Sequence, residues 1–105
     1  MQLHSNRITT DLHQQAYDYV VNYSKSERVS MSKIIEHIIL DAPTNQFDLI
    51  SDDYVPDGTG RRVTANLNKE AYSIVRNRAK DSNISMSSAV ERFILESEMA
   101  EHDNR

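Results

Sequence analysis

A twelve-residue stretch occurs twice in this chain, and this repeat constrains the fold more than any other feature. Residues 29–40 read VSMSKIIEHIIL, and residues 84–95, fifty-five positions later, read ISMSSAVERFIL. The same offset aligns residues 7–40 with residues 62–95 without a gap. Ungapped similarity over a whole unit is typical of a tandem duplication, and internal repeats of this kind dictate the architecture of a chain.

Each copy is too short to enclose a hydrophobic core alone, so we expect the two copies to share one. The chain has 105 residues, which fits one domain or two very small ones. We divide it into a first repeat at residues 7–42, a linker at 43–60 and a second repeat at 61–97. The linker holds both prolines and both glycines. Its r.m.s. span, on the order of 25 Å, is enough to carry the chain from one helix end to a partner strand.

The spacing of apolar residues predicts strand, helix, turn and helix in each repeat. Residues 7–12 and 62–67 alternate between apolar and polar side chains with a period of two. The period then changes to 3.6, and Ser30 and Ser85 are suited to cap the second helix of each repeat. A lone strand of six residues has no ladder partner. We therefore expect the two strands to pair with each other, antiparallel, on top of the helices.

The ends of the helices are less alike in the two copies. Asn68 is a suitable N-cap for the first helix of the second repeat, whereas His13 at the equivalent position is a poor cap. Asn83 suits a left-handed residue after a helix, and Arg28 suits that conformation less well. The last helix meets no helix breaker and is predicted to continue towards Ala100.

Composition excludes several classes of site. The chain has no cysteine, so it has no disulfide, no thiolate metal site and no cysteine nucleophile. The four histidines share no ligand spacing between the repeats, and no catalytic constellation or glycine-rich phosphate loop appears. We therefore expect neither a metal, a cofactor nor an enzyme. No apolar run approaches the ~20 residues that span a bilayer, and the N-terminus lacks the apolar region of a signal peptide. We expect a cytoplasmic protein without a membrane partner.

The net charge of −4 hides a division along the chain. The second repeat carries seven Lys/Arg against four Asp/Glu, net +3, whereas the first repeat has a net charge of −1 and the linker one of −4. Fields around exposed charges are screened over roughly 8–10 Å at moderate salt. A partner therefore meets a basic second repeat beside an acidic linker, and the overall acidity does not exclude nucleic acid.

The pattern Arg-x-Thr on the strand, followed at this distance by Ser-Met-Ser at the start of the second helix, resembles the ribbon-helix-helix fold of the Arc/MetJ type. The resemblance covers residues 7–40 and 62–97. It implies a mainly α protein in which two βαα repeats share one core as an intramolecular pseudo-dimer, with an antiparallel ribbon that enters the major groove of DNA. Two copies in one chain are similar to some plasmid conjugation proteins and viral repressors.

The resemblance implies a function as well as a fold. The expected function is sequence-specific binding of double-stranded DNA, by a transcriptional repressor or by an accessory factor at an origin of transfer, from a plasmid or a phage. Further association of chains on the DNA is compatible with it. The positions that read bases are implied to be Arg7, Thr9, Asp11, Arg62, Thr64 and Asn66. The positions that contact phosphates are implied to be Ser30, Met31, Ser32, Ser85, Met86 and Ser87.

These residue types suit such contacts. Arg can bind guanine O6 and N7 with two hydrogen bonds, Asn can pair with adenine N6 and N7, and Thr can contact thymine. A helix N-terminus offers N–H groups and a positive dipole to a phosphate. Each assignment has a purely structural alternative. The residues implied to read bases can form an ordinary solvated strand face, and the serines can simply cap their helices.

Two features set this sequence apart from the family pattern. Arg28 stands where the family often has glycine. Asp11 brings a negative charge to the groove, where it either repels phosphates or accepts from cytosine N4. We expect Asp11 to lie opposite Asn66 and the DNA half-site to be asymmetric. The alternative function is a protein-interaction module, such as an antitoxin, although the tail after Glu96 is short for a toxin-neutralising arm.

Overall fold

The computed structural model describes residues 6–42 and 60–103, and the side chains of the last helix as far as Glu98. In chain order the elements are β1 (Arg7–Leu12), α1 (Gln14–Glu27), α2 (Met31–Asp41), β2 (Arg61–Asn66), α3 (Lys69–Ser82) and α4 (Met86–Asp103). The described part of the chain is mainly helical, with a two-stranded antiparallel sheet and four helices. Strand, helix, helix therefore occurs twice, as the periodicity predicted.

The two strands pair with each other, as expected from the absence of another partner for either. Thr9 lies directly opposite Thr64, and these two residues are equivalent positions of the sequence repeat. At one end of the ribbon Arg7 lies opposite Asn66, and towards the other end Asp11 lies opposite Arg62. The expectation that Asp11 faces Asn66 is therefore wrong. In an antiparallel pair centred on equivalent residues, the first position of one strand faces the last of the other.

One face of the ribbon is closed against the helices. Ile8, Thr10 and Leu12 are buried along β1, and their neighbours in sequence are exposed. On β2 Ala65 is buried and Val63 is half-buried. Because successive side chains of a strand point to opposite faces, this alternation leaves the polar set of each strand together on the outer side. The predicted division into inward and outward residues is confirmed.

Apolar residues of all six elements form one buried cluster beneath the ribbon. Its members are Ile8, Leu12, Ala16, Val20, Ile34, Ile35, Ile38, Ile39, Ala65, Leu67, Ala71, Val75, Ala79, Ala89, Val90, Phe93, Ile94 and Leu95. The second helix of each copy contributes most, because its apolar residues cover a wide face. Burying one such isoleucine or phenylalanine is worth about 1.5–3 kcal/mol relative to leaving it in water.

The helix ends follow the capping chemistry of the sequence. The side chain of Asn68 accepts a hydrogen bond from the N–H of Ala71 at 2.8 Å, whereas His13 makes no side-chain cap bond. Asn83 and Arg28 end the first helices in the left-handed conformation, with φ of 59° and 60°. The prediction that the last helix continues is also confirmed, since α4 extends to Asp103.

The linker, apart from Gly60, lies outside the described residues. Its predicted role as a tether therefore stays a prediction. Among the residues that the structure describes, no helix combines the length and the apolar character needed to cross a membrane.

Candidate nucleic-acid interface

The outer face of the ribbon consists of polar side chains alone. All six of the predicted base-reading residues are exposed on it: Arg7, Thr9, Asp11, Arg62, Thr64 and Asn66. They lie together because the strand alternation places them on the side opposite the core. With Thr9 and Thr64 at the centre, the arginines lie at opposite ends of the ribbon. We call this set of six residues the ribbon face.

Each arginine of the ribbon face has a partner on the opposite strand. Nε of Arg7 donates to Oδ1 of Asn66 at 3.3 Å, and Nε of Arg62 lies 3.4 Å from Oδ1 of Asp11. The side chains of Arg62 and Asp11 are 75% and 60% exposed. An ion pair as exposed as this one contributes little to stability and opens at little cost. Both arginine side chains are therefore held over the ribbon by weak contacts, and both can exchange these contacts for a bond to another acceptor.

The N-termini of α2 and α4 flank the two ends of the ribbon. The Oγ of Ser32 accepts from the N–H of Asn66 at 2.7 Å and donates to the carbonyl of the same residue at 3.1 Å. In the other copy the Oγ of Ser87 accepts from the N–H of Asp11 at 3.2 Å. Each serine therefore joins the second helix of its own copy to the strand of the other copy.

The predicted phosphate-contacting residues fall into three kinds. Ser30 and Ser85 cap α2 and α4, since their Oγ atoms accept from the N–H groups of Lys33 and Ser88. The hydroxyls of Ser32 and Ser87 are engaged with the ribbon. Met31 and Met86 are half-buried against the core. What these six residues have to offer a phosphate is therefore their backbone, because the first N–H groups of a helix have no partner within it.

Sequence reasoning missed one residue that supports this region. Glu91 on α4 is buried, and its carboxylate accepts from the backbone N–H of His13 at 2.7 Å. The same carboxylate oxygen lies 2.9 Å from Nδ1 of His13. Glu91 thus supplies, from the second copy, an acceptor for the N–H of the N-cap residue of α1, one of the N–H groups that have no partner within the helix. The poor cap at His13 was the available signal, because an uncapped helix start needs an acceptor from elsewhere.

Basic side chains of the second copy are held in different ways. The guanidinium of Arg61 lies 5.1 Å from the ring centre of Tyr17 on α1, within cation–π range. Arg78 makes a similar contact with Phe93 at 5.9 Å. Arg76 and Lys80 are exposed on α3. The guanidinium groups of Arg61 and Arg78 therefore lie near aromatic rings. The exposed Arg76 and Lys80 give α3 the positive charge expected of the second repeat.

Within residues 6–42 and 60–98 no group of three or more His, Asp or Glu side chains is arranged to hold a metal ion. The described chemistry is that of hydrogen-bond donors and acceptors on a ribbon, with a helix N-terminus at each end. Comparison of the chain with known protein families, with characterised proteins and with solved structures finds no match in any of the three.

Proposed function

We propose that this chain is a sequence-specific double-stranded DNA-binding protein of the ribbon-helix-helix type. In this proposal residues 7–42 and 61–97 form an intramolecular pseudo-dimer, and one chain supplies both strands of the ribbon. The protein acts in the cytoplasm as a transcriptional repressor or as an accessory factor at an origin of transfer. The family pattern of the sequence supports both of these roles equally.

The observation that carries the proposal is the ribbon face. Thr9 lies opposite Thr64, and each arginine has its partner on the opposite strand, so the two strands present three equivalent exposed positions each, in opposite directions. The other side of the same ribbon covers the core. A protein that exposes only polar residues on a short, fixed ribbon has a surface suited to the edges of bases. A two-stranded ribbon fits the major groove, which is about 12 Å wide.

The hydrogen bonds of the ribbon face favour a role in reading DNA bases over a purely structural role. Within the described part of the chain the acceptors bonded to the two arginines, on Asn66 and Asp11, are exposed, and a base edge can replace them. Arg7 and Arg62 can then bind guanine O6 and N7, while Asn66 can bind adenine N6 and N7. Thr9 and Thr64 at the centre can contact a thymine methyl group. The ribbon face therefore has side chains that can distinguish guanine, adenine and thymine from one another.

The helix N-termini supply the contacts that position the ribbon. Ser32 and Ser87 hold the starts of α2 and α4 against the ribbon ends. In such an arrangement N–H groups of the first helical turn lie near the ends of the ribbon and can bind the phosphates on either side of the groove. This accounts for a pair of helices that begin at the ribbon and for the serines that attach them to it.

Selection from a pool of random duplexes tests the proposal. The chain is incubated with the pool at low salt, because phosphate contacts weaken steeply as salt rises. Retained duplexes are amplified and sequenced. We expect one sequence to be enriched, and its affinity in a gel-shift titration to exceed that of random duplex by about a thousandfold or more. If no duplex is retained even at low salt, the proposal is wrong and a protein-interaction module is favoured.

A further inference from the structure

The two ends of the ribbon face are alike in position but differ in chemistry. At each end an arginine Nε meets a side-chain oxygen of the opposite strand, at 3.3 Å for Arg7 and 3.4 Å for Arg62. The oxygen belongs to the amide of Asn66 at the first end and to the carboxylate of Asp11 at the second. The geometry is therefore repeated at the two ends, whereas the charge and the hydrogen-bonding capacity are not.

The first end is cationic and can both donate and accept. Arg7 carries a full positive charge and Asn66 is neutral, with two amide donors besides the oxygen that Arg7 uses. Asn66 is fixed by the double hydrogen bond between its backbone and Ser32. This end can bind guanine through Arg7 and the N6 and N7 atoms of adenine through Asn66.

The second end is neutral as a pair and has a group that only accepts. The charge of Asp11 offsets that of Arg62, and an ionised carboxylate has no hydrogen to give. Gly60 packs so closely here that a Cβ on it would lie 3.2 Å from the Cβ of Asp11. The backbone N–H of Asp11 is held by Ser87. In the major groove the base donors that match such an acceptor are the amines at cytosine N4 and adenine N6, and cytosine fits better because adenine places the acceptor N7 beside its amine.

We propose that the ribbon recognises a non-palindromic duplex in a single orientation, set by Asn66 at one end and Asp11 at the other. Asn66 selects an A·T pair at its end, and Asp11 admits a cytosine, and so a C·G pair, at the other. This inference rests on the proposed function. Reversing the protein on the site would let the carboxylate accept from adenine N6 only while it lies beside the N7 acceptor, which repels it, and would move the Asn66 amide from the A·T pair, where it makes two hydrogen bonds, to the C·G pair.

The orientation is measured with the enriched duplex and a cleavage reagent tethered to the protein. Because the chain has no cysteine, a single introduced cysteine carries the reagent, an iron–EDTA complex, at one known position. Lys33→Cys and Ser88→Cys are equivalent exposed positions, one at the start of each second helix. We expect Lys33→Cys to cleave one end of the site and Ser88→Cys the opposite end, each with a preference of about tenfold or more.

Variants of the two selecting residues test their assignment. Exchanging them in Asp11→Asn/Asn66→Asp keeps the composition and the net charge, and moves the carboxylate to the other end. With the reagent at the same cysteine, we expect cleavage of the same duplex to move to the opposite end, again with a preference of about tenfold. Asp11→Asn alone places an Arg–Asn pair at both ends of the ribbon. We expect the ratio of cleavage between the two ends of the duplex to fall to less than about twofold in this variant. Thermal unfolding followed by circular dichroism checks that each variant is folded.

The outcomes separate this inference from the proposed function. If the Lys33→Cys and Ser88→Cys proteins bind an enriched site but each cleaves both of its ends equally, the inference is wrong and the proposed function stands. The inference is also wrong if the variant with Asp11 and Asn66 exchanged still cleaves the same end of the duplex as the protein without the exchange. A shift of half or more of the cleavage to the opposite end supports the inference. If no duplex is bound at all, the proposed function fails, and the inference fails with it.

Discussion

The carboxylate of Glu91 on α4 lies at the N-terminus of α1, where it accepts a hydrogen bond from the backbone N–H of His13 at 2.7 Å. The two residues are 78 positions apart in sequence. The contact therefore joins the first helix of the first copy to the last helix of the second. Glu36 is the equivalent residue of the first copy, and its ion pair is a distant one of 3.9 Å with the exposed Lys33.

Glu91→Ala is expected to destabilise the fold more than the equivalent change at Glu36. Loss of a buried, charge-assisted hydrogen bond costs about 1.5–3 kcal/mol. Glu36→Ala should cost less, about 0.5–1 kcal/mol, since it removes only a long ion pair of 3.9 Å with an exposed lysine. Urea denaturation of both variants gives the difference in free energy of unfolding. Equal losses at the two positions would mean that Glu91 does not cap α1.

Ser32→Ala is expected to loosen the ribbon at the end where Arg7 meets Asn66. The serine Oγ makes two bonds to the backbone of Asn66, and their loss should cost about 0.5–1.5 kcal/mol, because the site is exposed and water can take the place of the hydroxyl. Amide hydrogen exchange should become faster at Asn66. Exchange at Asp11, which is held by Ser87 at the other end, serves as the internal reference. A uniform acceleration at both amides would instead indicate global destabilisation.

Arg28→Asn is expected to stabilise the protein. Arg28 ends α1 with φ of 60°, a conformation that costs most residues roughly 1 kcal/mol and that asparagine adopts more easily. Asn83 already occupies the equivalent position of the second copy, with φ of 59°. We expect a gain of about 0.5 kcal/mol from Arg28→Asn and a loss of similar size from Asn83→Arg. Thermal denaturation measures both, and opposite signs for the two changes are the test.

The free chain is expected to be a folded monomer. Both strands of the ribbon come from one chain, and the buried cluster contains residues of both copies. Light scattering at micromolar concentration should give 12.1 kDa. The midpoint of unfolding should not change with protein concentration, because no second chain is needed to complete the core. A dimer that unfolds on dilution would show that the strands pair between chains.

Much of the fold could be predicted from the sequence, because local signals agreed in two copies. The alternation at residues 7–12 and 62–67 predicted which side chains of the ribbon face outward. Asn68 and Asn83 carried the chemistry of a helix start and a helix end in their own side chains. The pairing of the two strands followed from the lack of another partner for either.

What the sequence did not predict depends on contacts between distant residues. The register across the ribbon was wrong at Asp11, since equivalence in a repeat does not say which residue lies opposite. The cap supplied by Glu91 was missed because its acceptor comes from the other copy. The engagement of Ser32 and Ser87 with the ribbon was missed for the same reason. Their spacing in sequence fits a helix start, and nothing local indicates the backbone that they bind.

The most direct test of the account compares two arginines of the second copy in titrations of the enriched duplex and of random duplex. Arg62 belongs to the ribbon face, whereas Arg76 is exposed on α3. Arg62→Ala should lose about 1–3 kcal/mol of binding free energy for the enriched site and little for random DNA. Arg76→Ala should leave the ratio of the two affinities unchanged. An Arg62→Ala variant that binds both duplexes as the parent protein does would contradict the account.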